Sequence, residues 1–363
     1  MKRFFILVAV AVTAITACTK TELSSSIVRD NSIGFLPANY STTKVDGSEF
    51  PTAETFSTYA WTAGTAGEFF MDNVTIKYDA ADDLWKPVTP YYWPGNNQAV
   101  DFFSYYPTGM SGLTVAASQI KYTDIDFAAT QQDYMYADKA VAYTQNDNTY
   151  GRSGVPTFFR HAGAKVKFNV VLGTNKKTET DGSVTRWEVT LKGVNLSGIY
   201  TKGSCTLTLS DATAKGLVPW NKPTDNVWTT DAAKTVNTNI DVKFNNSHHY
   251  DLETGNGIEV IPAFYVLPQT LAADQQKVSL VFDIKTYRKP AGLEEALVLT
   301  QEDVTASADL LNAEILAWEM SHFITYTITI NPTGSYDPKP IYFDPSVDAW
   351  VANNTNTTIN LNL

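Results

Sequence analysis

The sequence predicts an all-β fold, because apolar and polar residues alternate in many short segments, turn residues separate these segments, and helical periodicity is scarce. A period of two places successive side chains on opposite faces, which is typical of strands with one buried face. The alternating segments are 74–78, 165–170, 187–192, 240–244, 278–284 and 324–330. Many short strands without interleaved helices indicate antiparallel β-sandwiches.

Turn signals separate the predicted strands. Asp46-Gly47, Asp181-Gly182 and Gly255-Asn256-Gly257 are residue pairs or triplets that favour tight turns. Only the stretch from Asp303 to Trp318 has a pattern that fits a helix, or a helix that is partly loop. The prediction is therefore β structure almost throughout.

Net charge restricts the classes of partner. The chain has 27 basic and 38 acidic residues and a net charge of −11. Nucleic-acid-binding proteins usually present a basic face, and electrostatic adhesion to anionic membranes needs clustered cations. We therefore expect no nucleic-acid partner.

The N-terminus has the pattern of an export signal. Lys2 and Arg3 precede an uncharged, mostly apolar run from Phe4 to Ala17, which Cys18 follows. The run is shorter than the ~20 residues that a membrane-spanning helix needs. Small residues before Cys18 complete a pattern that resembles a bacterial lipobox. We predict a signal peptide at 1–17 and a mature chain whose Cys18 carries lipid such as palmitate. A plain secretory signal with an incidental cysteine is the alternative.

Cys205 has no partner within the chain if Cys18 carries lipid. It lies in an alternating stretch, and a small buried side chain is expected there.

The length of 363 residues suggests two domains. Because the strand pattern is interrupted at 202–203 and 211–222, we place the division near residue 208. The predicted segments are a leader at 18–32, an N-terminal β-sandwich domain at 33–208 and a C-terminal one at 209–363.

Several segments together resemble the fimbrillin family, the lipoprotein pilins of type V pili. They are a tryptophan-proline turn at Trp93-Pro94 with an aromatic strand from Val100 to Pro107, then Phe158 to Val166, Tyr265 to Gln269, Trp318 with Tyr326 to Ile330, and Ile341 to Pro345 with Trp350. None is diagnostic alone. Their shared order behind the lipobox carries the resemblance.

The resemblance implies two tandem transthyretin-like β-sandwich domains and an outer-membrane lipoprotein on the cell surface or in a fimbria. It also implies assembly by strand exchange. An arginine-specific protease cuts the leader of family members, the lost strand opens a groove, and the C-terminal segment of another subunit fills it. The expected partners are other pilin subunits, the membrane through the lipid on Cys18, and ligands on host or bacterial surfaces.

Two segments fit that scheme. Arg29 is the only arginine in the leader and is the candidate cleavage site, with Ile33 to Phe35 continuing as a strand after it. An ordinary exposed arginine is the alternative. At the other end, Thr357 to Leu363 alternates, as a candidate donor strand must. Its apolar side chains are Ile359, Leu361 and Leu363. The alternative is that this strand closes its own sandwich.

No catalytic or phosphate-binding motif occurs, so we expect no enzyme and no cofactor. His161 begins a predicted strand, where a structural hydrogen bond is expected. His248-His249 are neighbours whose side chains would point to opposite faces of a strand, which suits metal binding poorly. The acidic run from Asp79 to Asp83 lacks EF-hand spacing and is interpreted as a solvated turn.

A dense aromatic cluster remains, formed by Trp85, Tyr91, Tyr92 and Trp93. We interpret it as a surface for a sugar or a subunit interface, since so many neighbouring rings cannot all point inward.

Taken with the resemblance to the fimbrillin family, the sequence predicts a structural pilus subunit or a pilus-associated adhesin. The alternative is a monomeric glycan-binding surface lipoprotein.

Overall fold

The computed structural model describes residues 32–39, 50–63, 68–147, 154–209, 215–220, 228–230, 250–255, 257–332 and 344–349. Within these ranges the chain is all-β, with one short 3₁₀ turn at Gly95–Asn97. The predicted fold class is confirmed at that level. Five of the six alternating segments lie in strands, and the sixth, 240–244, lies outside the described residues.

The strands are short to medium in length and follow one another closely. The first twelve are β1 Phe35–Asn39, β2 Thr55–Thr62, β3 Phe69–Asp79, β4 Leu84–Pro87, β5 Val100–Tyr106, β6 Leu113–Ala116, β7 Gln119–Asp126, β8 Met135–Ala137, β9 Lys139–Tyr143, β10 Val155–His161, β11 Ala164–Leu172 and β12 Lys176–Thr178. The others are β13 Val184–Ser197, β14 Lys202–Thr208, β15 Gly216–Val218, β16 Trp228–Thr230, β17 Tyr250–Asp251, β18 Ile258–Val266, β19 Gln269–Thr270, β20 Lys277–Lys289, β21 Ala296–Asp309, β22 Ala317–Trp318, β23 His322–Ile330 and β24 Asp344–Ala349.

A nine-stranded sheet in the N-terminal half has the order β15-β9-β5-β2-β3-β4-β1-β10-β8. Because β8 also pairs with β5, the seven strands from β5 to β8 form a ring, which we call the closed sheet, and β9 and β15 extend outward from β5. The interior of this closed sheet is a core of aromatic and aliphatic side chains, among them Phe35, Phe56, Trp85, Phe102 and Phe159. Within the ring, closure removes the sheet edges that would otherwise expose unpaired backbone groups.

A second layer covers one outer face of the closed sheet. The four-stranded sheet β16-β14-β7-β6 supplies it. Trp61 and Phe103 of the closed sheet pack there with Tyr122 of β7 and Cys205 of β14. Cys205 is 2% exposed, which confirms the predicted buried side chain.

Most of the remaining strands form a sandwich of two sheets, and β19 pairs with β22 in a separate two-stranded sheet. One is β18-β11-β23-β24 and the other is β12-β13-β20-β21, with β17 paired to β13. The apolar faces of the two sheets share one core. Within it the rings of Phe168 and Tyr326 stack 4.8 Å apart, and the Trp318 indole donates a hydrogen bond to the Tyr326 hydroxyl at 2.9 Å.

Strand pairing crosses residue 208 in both directions. β11 and β13 precede that residue yet pair with β18, β20 and β23, which follow it. β15 and β16 follow it yet pair with β9 and β14. The sheets are therefore built from both sides of the predicted division at residue 208.

The stretch predicted as helix or loop is mostly strand. Asp303 begins it, but β21 continues through this residue to Asp309, paired with β20. Asp303 has a positive φ of 54°, and the register shifts between Phe282 and Ile284 opposite it. A β-bulge interrupts the alternation there, which explains why the sequence pattern did not indicate a strand.

A buried ion pair joins β5 and β9, and its lysine also reaches the covering layer. Lys139 Nζ lies 2.9 Å from Asp101 Oδ2, and the two side chains are only 7% and 8% exposed. Lys139 Nζ also donates to the carbonyl oxygen of Ala117, between β6 and β7, at 2.9 Å, and lies 4.6 Å from the centre of the Trp61 ring. The Asp101 carboxylate accepts a hydrogen bond from Ala142 N at 2.9 Å.

The Lys139→Met variant should lose about 3–5 kcal/mol of the free energy of unfolding, because the Asp101 carboxylate stays buried without its cation. The Lys139→Met/Asp101→Asn double variant should recover part of that loss. Lys177→Met, which removes a solvent-exposed pair with Glu179, is the matched control and should change stability little. Urea unfolding measures all three, and equal losses for Lys139→Met and Lys177→Met would contradict the assignment.

Candidate subunit-assembly site

Among the described strands of the closed sheet, β1 is the most N-terminal. It forms a parallel ladder with β10, from Phe35 opposite Val155 to Asn39 opposite Phe159. Its other neighbour is β4, with which it makes a single pair, Phe35 opposite Trp85. β1 therefore forms a continuous ladder with β10 along one side and a single bridge with β4 along the other.

The N-terminal segment fills the interior of the closed sheet. Ile33 and Phe35 are both 0% exposed. The Phe35 ring makes edge contacts with Phe56 and Phe102, each with ring centres 5.9 Å apart. Burying side chains of this size stabilises a fold by ~1.5–3 kcal/mol each. Ile33 and Phe35, in the segment predicted to continue as a strand, are thus part of the apolar core inside the closed sheet.

Gly154 allows β1 to lie this close to β10. A Cβ atom at this position would lie 2.8 Å from Leu36 Cγ and 3.2 Å from the Phe35 carbonyl carbon. The next residue, Val155, donates its backbone N–H to Gly34 O at 2.8 Å. The sequence alone does not single out Gly154, because a lone glycine before a strand has no distinctive pattern.

The aromatic cluster predicted at the surface mostly supports this N-terminal segment. Tyr91 O accepts a hydrogen bond from Ile33 N at 2.8 Å, and Tyr92 forms a β-bridge with Ser32. The Trp93 ring contacts Phe102 with ring centres 5.6 Å apart.

Burial removes Trp85 from that predicted surface. Trp85 is 7% exposed, and its ring contacts Phe50 at 5.3 Å and Phe56 at 5.5 Å inside the closed sheet. Tyr92 is 55% exposed. The four rings therefore do not form one platform, because Trp85 lies in the interior, Tyr91 and Trp93 pack against the same core, and Tyr92 faces solvent.

Several predicted sites lie outside the described residues. They are Cys18, Arg29, Ile359, Leu361 and Leu363. Ser32, the first described residue, follows Arg29 closely, so β1 lies on the C-terminal side of the candidate cleavage site. β24 is an end strand of its sheet and stops at Ala349, before the candidate donor strand.

His161 has the structural role that the sequence predicts. Its Nδ1 lies 2.8 Å and 2.9 Å from the two carboxylate oxygens of Asp133. Its backbone N–H donates to Ser321 Oγ at 3.1 Å, and that hydroxyl donates to His161 O at 3.0 Å. Nearby, Arg160 binds the Asp138 carboxylate with two hydrogen bonds, at 2.7 Å and 2.8 Å. These contacts fix the point where the chain leaves the closed sheet for the sandwich.

The carboxylates of the predicted acidic turn make hydrogen bonds within the turn and ion pairs with Lys86. Asp79 Oδ1 accepts from Ala81 N at 3.0 Å, which lowers the pKa of Asp79, and Lys86 pairs with Asp79 and Asp82. Among the described residues, no three His, Cys, Asp or Glu side chains are grouped as metal ligands.

Burial raises the pKa of the Cys205 thiol, which keeps it protonated and unreactive. The described part of the chain also holds no helix of the length and apolar character that a membrane span requires.

Comparison with solved structures finds one with a similar fold among the three described next. A crystal structure of a fimbrial protein from Bacteroides vulgatus has a TM-score of 0.57 at 15% identity and covers 89% of this chain and 100% of its own. A candidate cell adhesion protein from Bacteroides uniformis covers the same shares at 17% identity with a TM-score of 0.45. The fimbrial anchor protein Mfa2 from Porphyromonas gingivalis covers 87% of this chain and 98% of its own, at 10% identity and a TM-score of 0.29. Only the first of these three supports a shared fold.

Sequence comparison places the chain in a family. A search of curated protein sequences finds no match. The family model described as fimbrillin-like, however, matches residues 43–350. That range includes the closed sheet from β2 onward, its covering layer and the sandwich. The chain belongs to the fimbrillin-like family.

Proposed function

We propose that this protein is a structural subunit of a fimbria, or an adhesin carried by one, that joins its neighbours by strand exchange. The observation that carries the proposal is that an N-terminal strand, β1, completes a closed sheet. The role is mechanical and requires no catalytic step. The proposed partners are other fimbrial subunits, and the proposed location is the cell surface.

The position of β1 is suited to exchange. Its partner strands β4 and β10 do not pair with each other among the described strands. Displacing β1 would leave their facing backbone groups unpaired and would open the core around Phe56 and Phe102. A strand from another subunit that enters this position restores both the ladder and the core, which is the physical basis of recognition by strand addition.

The C-terminal segment has the pattern that the vacated position requires. Ile359, Leu361 and Leu363 alternate with asparagines, and the same spacing of two separates Ile33 and Phe35, which are both 0% exposed in the resident segment. Burying three apolar side chains would offset the loss of two, at ~1.5–3 kcal/mol each. The exchange therefore gains the burial of one additional apolar side chain, about 1.5–3 kcal/mol, while the incoming ladder replaces the resident one.

Cleavage at Arg29 supplies the trigger in this proposal. Export as an outer-membrane lipoprotein would attach the chain through Cys18, and the cut would release it from the lipid. Because β1 follows Arg29, the cut leaves β1 on the mature chain with a free end. β1 is then displaced rather than removed. The closed sheet with its covering layer, and the second sandwich, are the proposed counterparts of the two transthyretin-like domains of the family.

The Arg29→Ala variant should remain uncut by an arginine-specific protease at the leader and should remain monomeric. N-terminal sequencing and size-exclusion chromatography after protease treatment measure the two effects. Arg288→Ala removes an exposed arginine of the β20–β21 hairpin and is the matched control, with wild-type cutting and assembly expected. Polymers of uncut Arg29→Ala protein would show that this cleavage is not the trigger.

Replacing the apolar side chains of the donor strand should block polymer growth. The Ile359→Asp/Leu361→Asp variant would place two charges in the core of the acceptor, which is strongly unfavourable. Asn360→Asp/Asn362→Asp puts the same charges on the opposite face of the same strand and should still assemble. The polymer ladder on a native gel reports the result. Equal assembly by both variants would refute the donor role of this strand.

A further inference from the structure

An aromatic patch lies on the outer face of the closed sheet, where β2 and β3 meet. We call it the Phe69 patch and define it as Tyr59, Phe69, Asp72 and Asn73. Phe69 is 40% exposed although it is large and apolar. Its ring centre lies 5.0 Å from that of Tyr59, with the two planes inclined by 49°.

Buried aromatic residues hold these two rings in place. Trp61 is 2% exposed and contacts Phe69 edge-on, with ring centres 6.0 Å apart. Tyr105 is 1% exposed and stacks with Tyr59 at 6.1 Å. An exposed ring fixed from behind by buried rings loses little conformational entropy when a ligand binds.

A β-bulge places polar groups beside the rings. Thr58 pairs with Val74 and Ala60 with Met71, so Asp72 and Asn73 together face Tyr59. Asn73 has a positive φ of 52°, a conformation that costs free energy and recurs in bulges beside binding sites. Bulges also occur where closed sheets bend, so this bulge supports a binding site only together with the exposed ring next to it.

The polar groups have defined hydrogen-bonding roles. The Tyr105 hydroxyl donates to Asn73 Oδ1 at 2.6 Å, which orients the amide and leaves Nδ2 as the donor for a ligand. The pKa of Tyr59 is raised by burial and by nearby Tyr105 and Asp72, so its hydroxyl stays protonated at neutral pH. Asp72 is exposed and supplies a carboxylate acceptor.

We propose that the Phe69 patch binds a neutral oligosaccharide. A pyranose ring has an apolar face of C–H groups that stacks on an aromatic ring, and a rim of hydroxyls that both donate and accept hydrogen bonds. Phe69 provides the ring, Asn73 Nδ2 the donor and Asp72 the acceptor. The Asp72 carboxylate and the net charge of −11 disfavour acidic sugars.

This inference extends the proposed function, because it names the ligand class of an adhesin, yet it does not depend on strand exchange. The patch lies on β2 and β3, away from the position of β1 between β4 and β10. A variant of the patch should therefore assemble normally. Assembly and sugar binding can then succeed or fail separately.

The test uses the chain without its signal peptide and with Cys18→Ser, applied to immobilised mannan, maltoheptaose, xylohexaose and polygalacturonate. At least one neutral glycan should bind, and polygalacturonate should not. Phe69→Ala should weaken binding about tenfold or more, and Asn73→Ala should weaken it as well. Phe69→Trp, which keeps a stacking surface, should retain binding.

Tyr92→Ala is the matched control, since Tyr92 is a comparably exposed ring elsewhere on the surface and belongs to the aromatic cluster that the sequence suggested. It should bind within about twofold of the unaltered chain. Binding by none of the neutral glycans, unchanged binding by Phe69→Ala, or loss of binding in Tyr92→Ala would overturn the proposal. A change of oligomeric state in Phe69→Ala would also overturn it, because the patch would then be a contact between copies.

Discussion

The closure of the seven-stranded ring depends on one strand. In a closed sheet each strand has a neighbour on both sides, so no row of backbone donors and acceptors is left open. β1 is the link between β4 and β10, and its segment buries Ile33 and Phe35 in the interior. Without a strand in this position, two edges and an aromatic core would face solvent. In our proposal, joining two subunits and closing this sheet are therefore the same physical event.

Local pattern in the sequence predicted where strands occur but not how they pair. Strands β11, β13, β20 and β23 each alternate clearly, because one face of each packs on the sandwich core. The parallel pairing of β11 with β23 brings together distant parts of the chain, and no short-range signal specifies it. Strands on both sides of residue 208, near which the sequence predicts the domain division, pair with each other. The sequence pattern did not indicate a strand at Asp303, because a β-bulge breaks the alternation there.

The aromatic residues show the same limit. A cluster such as Trp85 with Tyr92 can be recognised in the sequence, but the strand phase decides which ring is buried, at 7% exposure, and which is exposed, at 55%. The adjacent pair Phe69-Phe70 held a usable signal that was overlooked, since neighbouring residues in a strand point to opposite faces. Phe70 packs towards the interior and Phe69 faces outward, where it forms the centre of the proposed sugar site.

A reversible covalent lock on β1 tests the central claim most directly. Pro37 and Thr157 are directly opposed in the β1–β10 ladder, so Pro37→Cys/Thr157→Cys can form a disulfide between these strands, while Cys205 stays buried. After cleavage at Arg29, the oxidised variant should remain monomeric and the reduced variant should polymerise, as followed by light scattering. Polymerisation at the same rate in both states would contradict the account.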